Sequence, residues 1–137
     1  MLGVSTYSKP YITYCRRMIE AQVAAYRALP RIGPSSESDY AKFETQFIYH
    51  LILALDRCFV HRLRGKELKD GNPLNEVRML CTSILDHGGV FTGDPTIKYN
   101  PDRSVLKLKT GEPIAVTEAQ FSRLTEAFFA DLEAKFC

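Results

Sequence analysis

Residues 39–64 read DYAKFETQFIYHLILALDRCFVHRLR and contain neither glycine nor proline. Uninterrupted helical spacing over that stretch predicts one rod of about 39 Å at 1.5 Å per residue. Tyr40, Phe43, Phe47, Leu51, Ala54 and Cys58 fall on one apolar stripe, and Ile48, Ile52, Leu55 and Phe59 on the adjoining one. That sector is wider than a surface helix carries, so the segment is expected to be a central helix with neighbours on several sides. The remaining edge holds Gln46, His50, Arg57 and His61, nearly in one line.

The rest of the chain reads as cover for this rod. Tyr11, Cys15, Met18, Ile19, Gln22, Val23, Tyr26 and Leu29 keep helical spacing from about Ser8 or Pro10 to Leu29, where Pro30 stops the helix. Ser8 is the expected N-cap, and proline is tolerated in a first turn. Arg27 and Arg31 sit where the helix dipole favours cations. Gly33–Ser36 is a connector, with Ser36 or Ser38 available to cap the central helix. A link this short makes the two helices antiparallel neighbours.

After Gly65 a charged loop, Lys66–Asp70, leads to Asn72-Pro73, a cap followed by a residue whose missing N–H is not missed. The third helix runs Pro73–Asp86 and closes at His87-Gly88-Gly89. Between Asp94 and Val116 the period changes to two. Thr96–Tyr99 and Val105–Lys109 alternate around a turn at Asn100–Arg103, which predicts a β-hairpin, with Ile114–Val116 as a short third strand. Ile97, Tyr99, Leu106 and Leu108 lie on the face meant for the helices, and Lys98, Lys107 and Lys109 face water as edge protection. Thr117-Glu118-Ala119-Gln120 is a capping box that opens the last helix, Glu118–Lys135. The expected fold is mainly α: one domain, residues 1–137, a four-helix bundle with a small β-hairpin inserted between helices three and four.

Composition narrows the classes of function. A net charge of +2 with 25% charged residues does not point to nucleic acid. It is unevenly spread, with five cations and one acid in residues 1–31 and an acidic last helix. Cys15, Cys58, Cys81 and Cys137 show no paired spacing, so they read as free thiols of a reducing compartment. Cys137 fits no prenylation box. No export signal is visible, and the longest apolar run, Phe47–Leu55, falls well short of the roughly 20 residues of a membrane span. A cytoplasmic protein without a membrane association is expected.

His50 and His61, eleven residues apart, have backbones about 16 Å apart on one helix and cannot share an ion. Any metal would need one of them with Glu20 or Glu76, and neither Glu-x-x-His nor His-Glu-x-x-His occurs, so no metal and no cofactor is expected. No nucleophile elbow or phosphate-binding glycine loop is present either. Cys58 belongs to the apolar stripe, where a thiol is inert packing.

Arg57 and His61, four apart, point the same way on a helix. With Arg62, Arg64, Lys66 and Lys69 they concentrate positive charge near its end, a candidate site for a phosphate or carboxylate in which His50 is the third candidate residue; its position between Phe47 and Leu51 also allows a buried imidazole satisfied from Gln46 or an acid on another helix. Arg57-Cys58-Phe59-Val60-His61 superficially resembles the arginine-then-histidine motif of small helical ribonuclease domains of the HEPN class. Here only three residues intervene and Cys58 replaces the polar residue after the arginine, so no role is carried over.

The pattern names no reaction and leaves open whether the chain is an enzyme. Phe43, Phe59, Phe128, Phe129, Tyr26 and Tyr49 are more large rings than one small core should centre, which points to self-association as a homodimer. The contrasting expectation is a protein that binds a small anion or metabolite through Arg57, His61 and His50.

Overall fold

The computed structural model describes residues 3–31, 33 and 37–137. These form α1 (Lys9–Arg27), α2 (Glu37–Cys58), α3 (Arg64–Glu67), α4 (Pro73–Asp86) and α5 (Glu118–Phe136). Three helix starts follow the capping chemistry written in the sequence. Ser8 Oγ accepts from Tyr11 N at 3.3 Å, and Asn72 Oδ1 accepts from Asn75 N at 2.9 Å. Thr117 and Gln120 exchange both bonds of a capping box, at 3.2 and 2.9 Å. The end of α4 is also as expected, since Gly88 and Gly89 take the left-handed conformation and His87 N and Gly89 N both donate to Ser83 O. Ser36 lies outside the described residues, and Ser38 is inside α2.

α2 is central, packed against α1, α4 and α5. α1 runs antiparallel to it, since Tyr11 meets Cys58 at one end and Tyr26 meets Phe43 at the other. The rings expected to be surplus mostly fit inside. Phe59, Phe128 and Phe129 are buried in one cluster with centroids 5.6–5.9 Å apart, Phe129 meeting the other two rings edge to face. Each contributes about 1.5–3 kcal/mol of transfer free energy. Tyr26 is also buried, Tyr49 is half-buried, and Phe43 stays half-exposed at 51%.

The rod of residues 39–64 does not form as one piece. α2 stops at Cys58, and Phe59, Val60 and Arg62 make tight bonds to the carbonyls three residues back. The reason lies in Arg62. A continued helix would aim its guanidinium into the apolar core without partners, at prohibitive cost. With the helix broken, it donates to Asp56 Oδ1 (2.8 Å), Glu67 Oε1 (2.7 Å), Phe59 O (3.1 Å) and Leu74 O (3.1 Å). The Phe59 carbonyl accepts from both the backbone N and the guanidinium of Arg62. Lys66–Asp70 is accordingly no simple charged loop, because α3 carries Glu67 into the interior.

The β-hairpin is absent, as is the third strand. Among the described residues the only β pairings are two isolated bridges, Val4 with Arg62 and Val90 with Pro113. Backbone groups of the insertion bond to side chains instead of to a facing arm. Glu76 accepts from Val105 N and Leu106 N, both at 2.9 Å, Tyr99 Oη donates to Leu108 O at 2.5 Å, and Ser104 Oγ accepts from Lys107 N at 2.9 Å. Pairing occurs at the neck, where Phe91 N reaches Glu112 O and Ile114 N reaches Gly89 O, each at 2.8 Å. The sidedness nevertheless holds: Ile97 is buried, Tyr99, Leu106 and Leu108 pack on the core, and the three lysines are exposed.

Candidate functional site

The break after Cys58 creates the groove that contains Arg57 and His61. Three pieces of backbone build it: the first turns of α1, the last turn of α2 with the bend beyond it, and the N-terminal segment. Val4 N donates to His61 O at 2.7 Å and Leu63 N returns to Val4 O at 2.8 Å, which pins the bend to residues 3–5. Gly3 is required for that approach, since a Cβ there would lie 2.8 Å from Leu63 Cα. Tyr7 N donates to Phe136 O at 2.7 Å, and its ring meets Phe59 edge-on at 5.0 Å. The lead-in expected to be loose is thus a wall of the site.

The groove encloses about 560 Å³ and is lined by Val4, Tyr7, Tyr11, Met18, Ala54, Arg57, Cys58, Val60 and His61. Its floor is apolar and neutral. Tyr11 Oη donates to Cys58 O at 2.6 Å, and burial, with Cys15 close by, pushes the phenol up to about 12. Burial and Cys15 likewise raise the Cys58 thiol to about 12, so it is no nucleophile near neutral pH. Burial raises Tyr7 as well, against the opposing charge of Arg62. Charge enters only at the rim, through Arg57 and His61. Both side chains are exposed, and among the described residues neither has a hydrogen-bond or ion-pair partner.

The other cations that line grooves are already neutralised. In the 620 Å³ groove between α1 and α5, Arg16 pairs with Glu133 and Arg27 with Glu118. Arg31, beside Tyr40 and Phe43, reaches Glu37, and Arg78, midway along α4, is bound to Glu67.

His50 does not join the site. It is exposed rather than buried, its Nδ1 lies 2.8 Å from Gln46 O, and it sits two turns before Arg57 on α2. An imidazole on the outer edge needs no internal partner, because water solvates its free nitrogen. Arg62 is removed from the cationic cluster by its burial. Tyr7 and Tyr11 were missed as site residues, although the tyrosines at 7, 11 and 14 are a visible signal of an aromatic surface. Glu76, considered as a ligand, is spent on two backbone amides, and the described residues contain no group of three metal-binding side chains. No helix among them is long and apolar enough to cross a membrane.

The chain matches no protein-family model, no curated protein and no solved structure.

Proposed function

We propose that this protein binds a small ligand with an anionic head, carboxylate or phosphate, and an apolar or aromatic body, in the groove between α1 and the end of α2. The observation that carries the reading is that, among the described residues, Arg57 and His61 have no protein partner at the rim of a cavity whose floor is aromatic. A guanidinium offers a planar fork to a carboxylate or phosphate, and imidazole adds a donor whose charge changes near neutral pH. Tyr7, Tyr11 and Met18 supply the apolar contact that most ligand sites require. The cavity volume suits a metabolite rather than a polymer. No group here is placed to break a covalent bond, so the reading is binding, with catalysis unassigned. Free cysteines suit the reducing cytoplasm.

The test is a thermal-shift screen with carboxylated and phosphorylated metabolites, repeated on Arg57→Ala and His61→Ala. Stabilisation of the wild type that Arg57→Ala loses supports the reading. If no ligand shifts the wild type, or the variant responds equally, the reading fails.

A further inference from the structure

The outer face shared by α1 and α2 is uncovered, and its pattern is self-complementary. Among the described residues, five of the eight large apolar side chains that stand exposed, Tyr11, Tyr14, Met18, Leu29 and Phe43, lie on this face, and Leu68, Leu85 and Val90 lie elsewhere. On α1 the exposed positions 11, 14, 18, 21, 25 and 28 keep helical spacing and carry no charge. Lys9, Arg16 and Arg27 are on the other flank, bonded to α5, while the exposed Arg17 borders the stripe beside Tyr14 and Ala21. Two helices about 28 Å long and side by side offer a footprint on the order of 600 Å², the scale of one side of a stable interface.

The stripe on α1 is also graded. Its N-terminal half is bulky (Tyr11, Tyr14, Met18) and its C-terminal half is small (Ala21, Ala25, Ala28). Tyr11 sits level with Cys58 and Tyr26 with Phe43 and Phe47, so Ala21 is level with His50. A two-fold axis crossing both helices at that level lays α1 antiparallel on its copy. Tyr14 then comes level with Ala28 of the second copy, and Met18 with Ala24 and Ala25. On α2, Arg57 comes level with Phe43. Bulk meets space, and a guanidinium meets an aromatic ring.

We infer that a second copy of this chain covers the α1/α2 face, in an isologous pair whose axis passes by Ala21 and His50. The pair covers Tyr11, Met18, Arg57 and His61 of the groove, so a ligand bound there is expected to compete with it, and the pairing is tested on the ligand-free chain.

Sedimentation of the full chain at micromolar concentration tests the pairing, and a short bis-maleimide tests the axis. Wild type is expected to sediment as a dimer. Tyr14→Glu, at a side chain already 66% exposed, is expected to raise the dissociation constant at least ~tenfold while keeping the helical circular dichroism. Ala25→Arg, also at an exposed position, serves the same purpose should Tyr14→Glu fold poorly. In a Cys137→Ser background, Ala21→Cys is expected to cross-link to itself far faster than its parent. A dimer with its axis parallel to the helices would hold the two Ala21 positions apart and give no such product. A wild-type monomer, a dimer that both surface variants leave intact, or a dimer in which Ala21→Cys does not cross-link overturns the inference.

Discussion

Arg62 Nε donates to Glu67 Oε1 at 2.7 Å, with both side chains fully buried. Arg78 approaches the same carboxylate from α4, through Nη2 to Oε1 at 2.6 Å and Nε to Oε2 at 3.0 Å, and Asn75 Nδ2 donates to Oε2 at 2.7 Å. One carboxylate therefore ties the bend after α2 to α3 and α4. Glu67→Ala is expected to destabilise the fold by about 3–5 kcal/mol, because Arg62 is left buried without its main counter-charge. Urea unfolding followed by circular dichroism measures it, and a loss below about 1 kcal/mol would refute the central role given to this pair.

Two buried glutamates give the stability opposite responses to pH. Burial alone would raise Glu67, but its bond from Arg78 and the charges of Arg62 and Arg78 outweigh that and hold it below the ordinary value of 4.5. Its folded value is depressed, so its stabilisation is complete above 4.5 and is lost as pH falls through the folded value. Glu76 is raised by burial, only partly offset by the amides of Leu106 and Val105. The folded state holds this proton more tightly, so stability declines as pH rises from 4.5 through the raised value. Glu76→Gln is expected to abolish that decline while leaving the acid-side loss intact. Unfolding free energy measured across mildly acidic pH checks it, and an unchanged decline in the variant would be the contrary result.

Burial also ranks the thiols. Cys137 is exposed, Cys58 is half-buried with its pKa pushed up to about 12, and Cys81 is driven higher still by burial and the nearby Asp56 carboxylate. Iodoacetamide near neutral pH is expected to modify Cys137 first, and the other thiols only under denaturant. Mass spectrometry of a labelling time course reads the order, and early labelling of Cys58 would contradict the inert floor assigned to the groove.

Local chemistry was legible in the sequence wherever one short signal decides the outcome. Ser8, Asn72-Pro73 and Thr117–Gln120 set helix starts because a cap involves only residues three apart. Apolar spacing placed α2 at the centre for the same reason, since periodicity reports burial. What escaped was decided by partners distant in sequence. Arg62 looked like one more cation near a helix end, and only Glu67, Arg78 and Leu74 O make it an interior residue that breaks the rod. The alternation in Thr96–Lys109 correctly gave the sidedness, but the Glu76 carboxylate competes for the amides that a second strand would need. Of the three candidate site residues, Arg57 and His61 share a groove despite the break between them, while His50 remains apart on the outer face of α2.

The groove itself depends on Gly3. A methyl group there would lie 2.8 Å from Leu63 Cα and 3.1 Å from His61 O, and both are backbone atoms already fixed by the bonds between Val4 and residues 61 and 63. Gly3→Ala must therefore lift the N-terminal segment away from the bend, taking Val4 and Tyr7 from the wall that faces Arg57. The cost in stability is expected to be about 1–3 kcal/mol, from two weakened hydrogen bonds and lost packing. Gly65→Ala is the matched control, since a Cβ there meets nothing within 4 Å and the position is helical, where alanine is favoured. Ligands that stabilise the wild type through Arg57 are expected to stabilise Gly65→Ala equally and Gly3→Ala much less. Isothermal titration of the three proteins with one such ligand decides the matter: equal affinity in Gly3→Ala would mean that the N-terminal segment is no part of the binding wall.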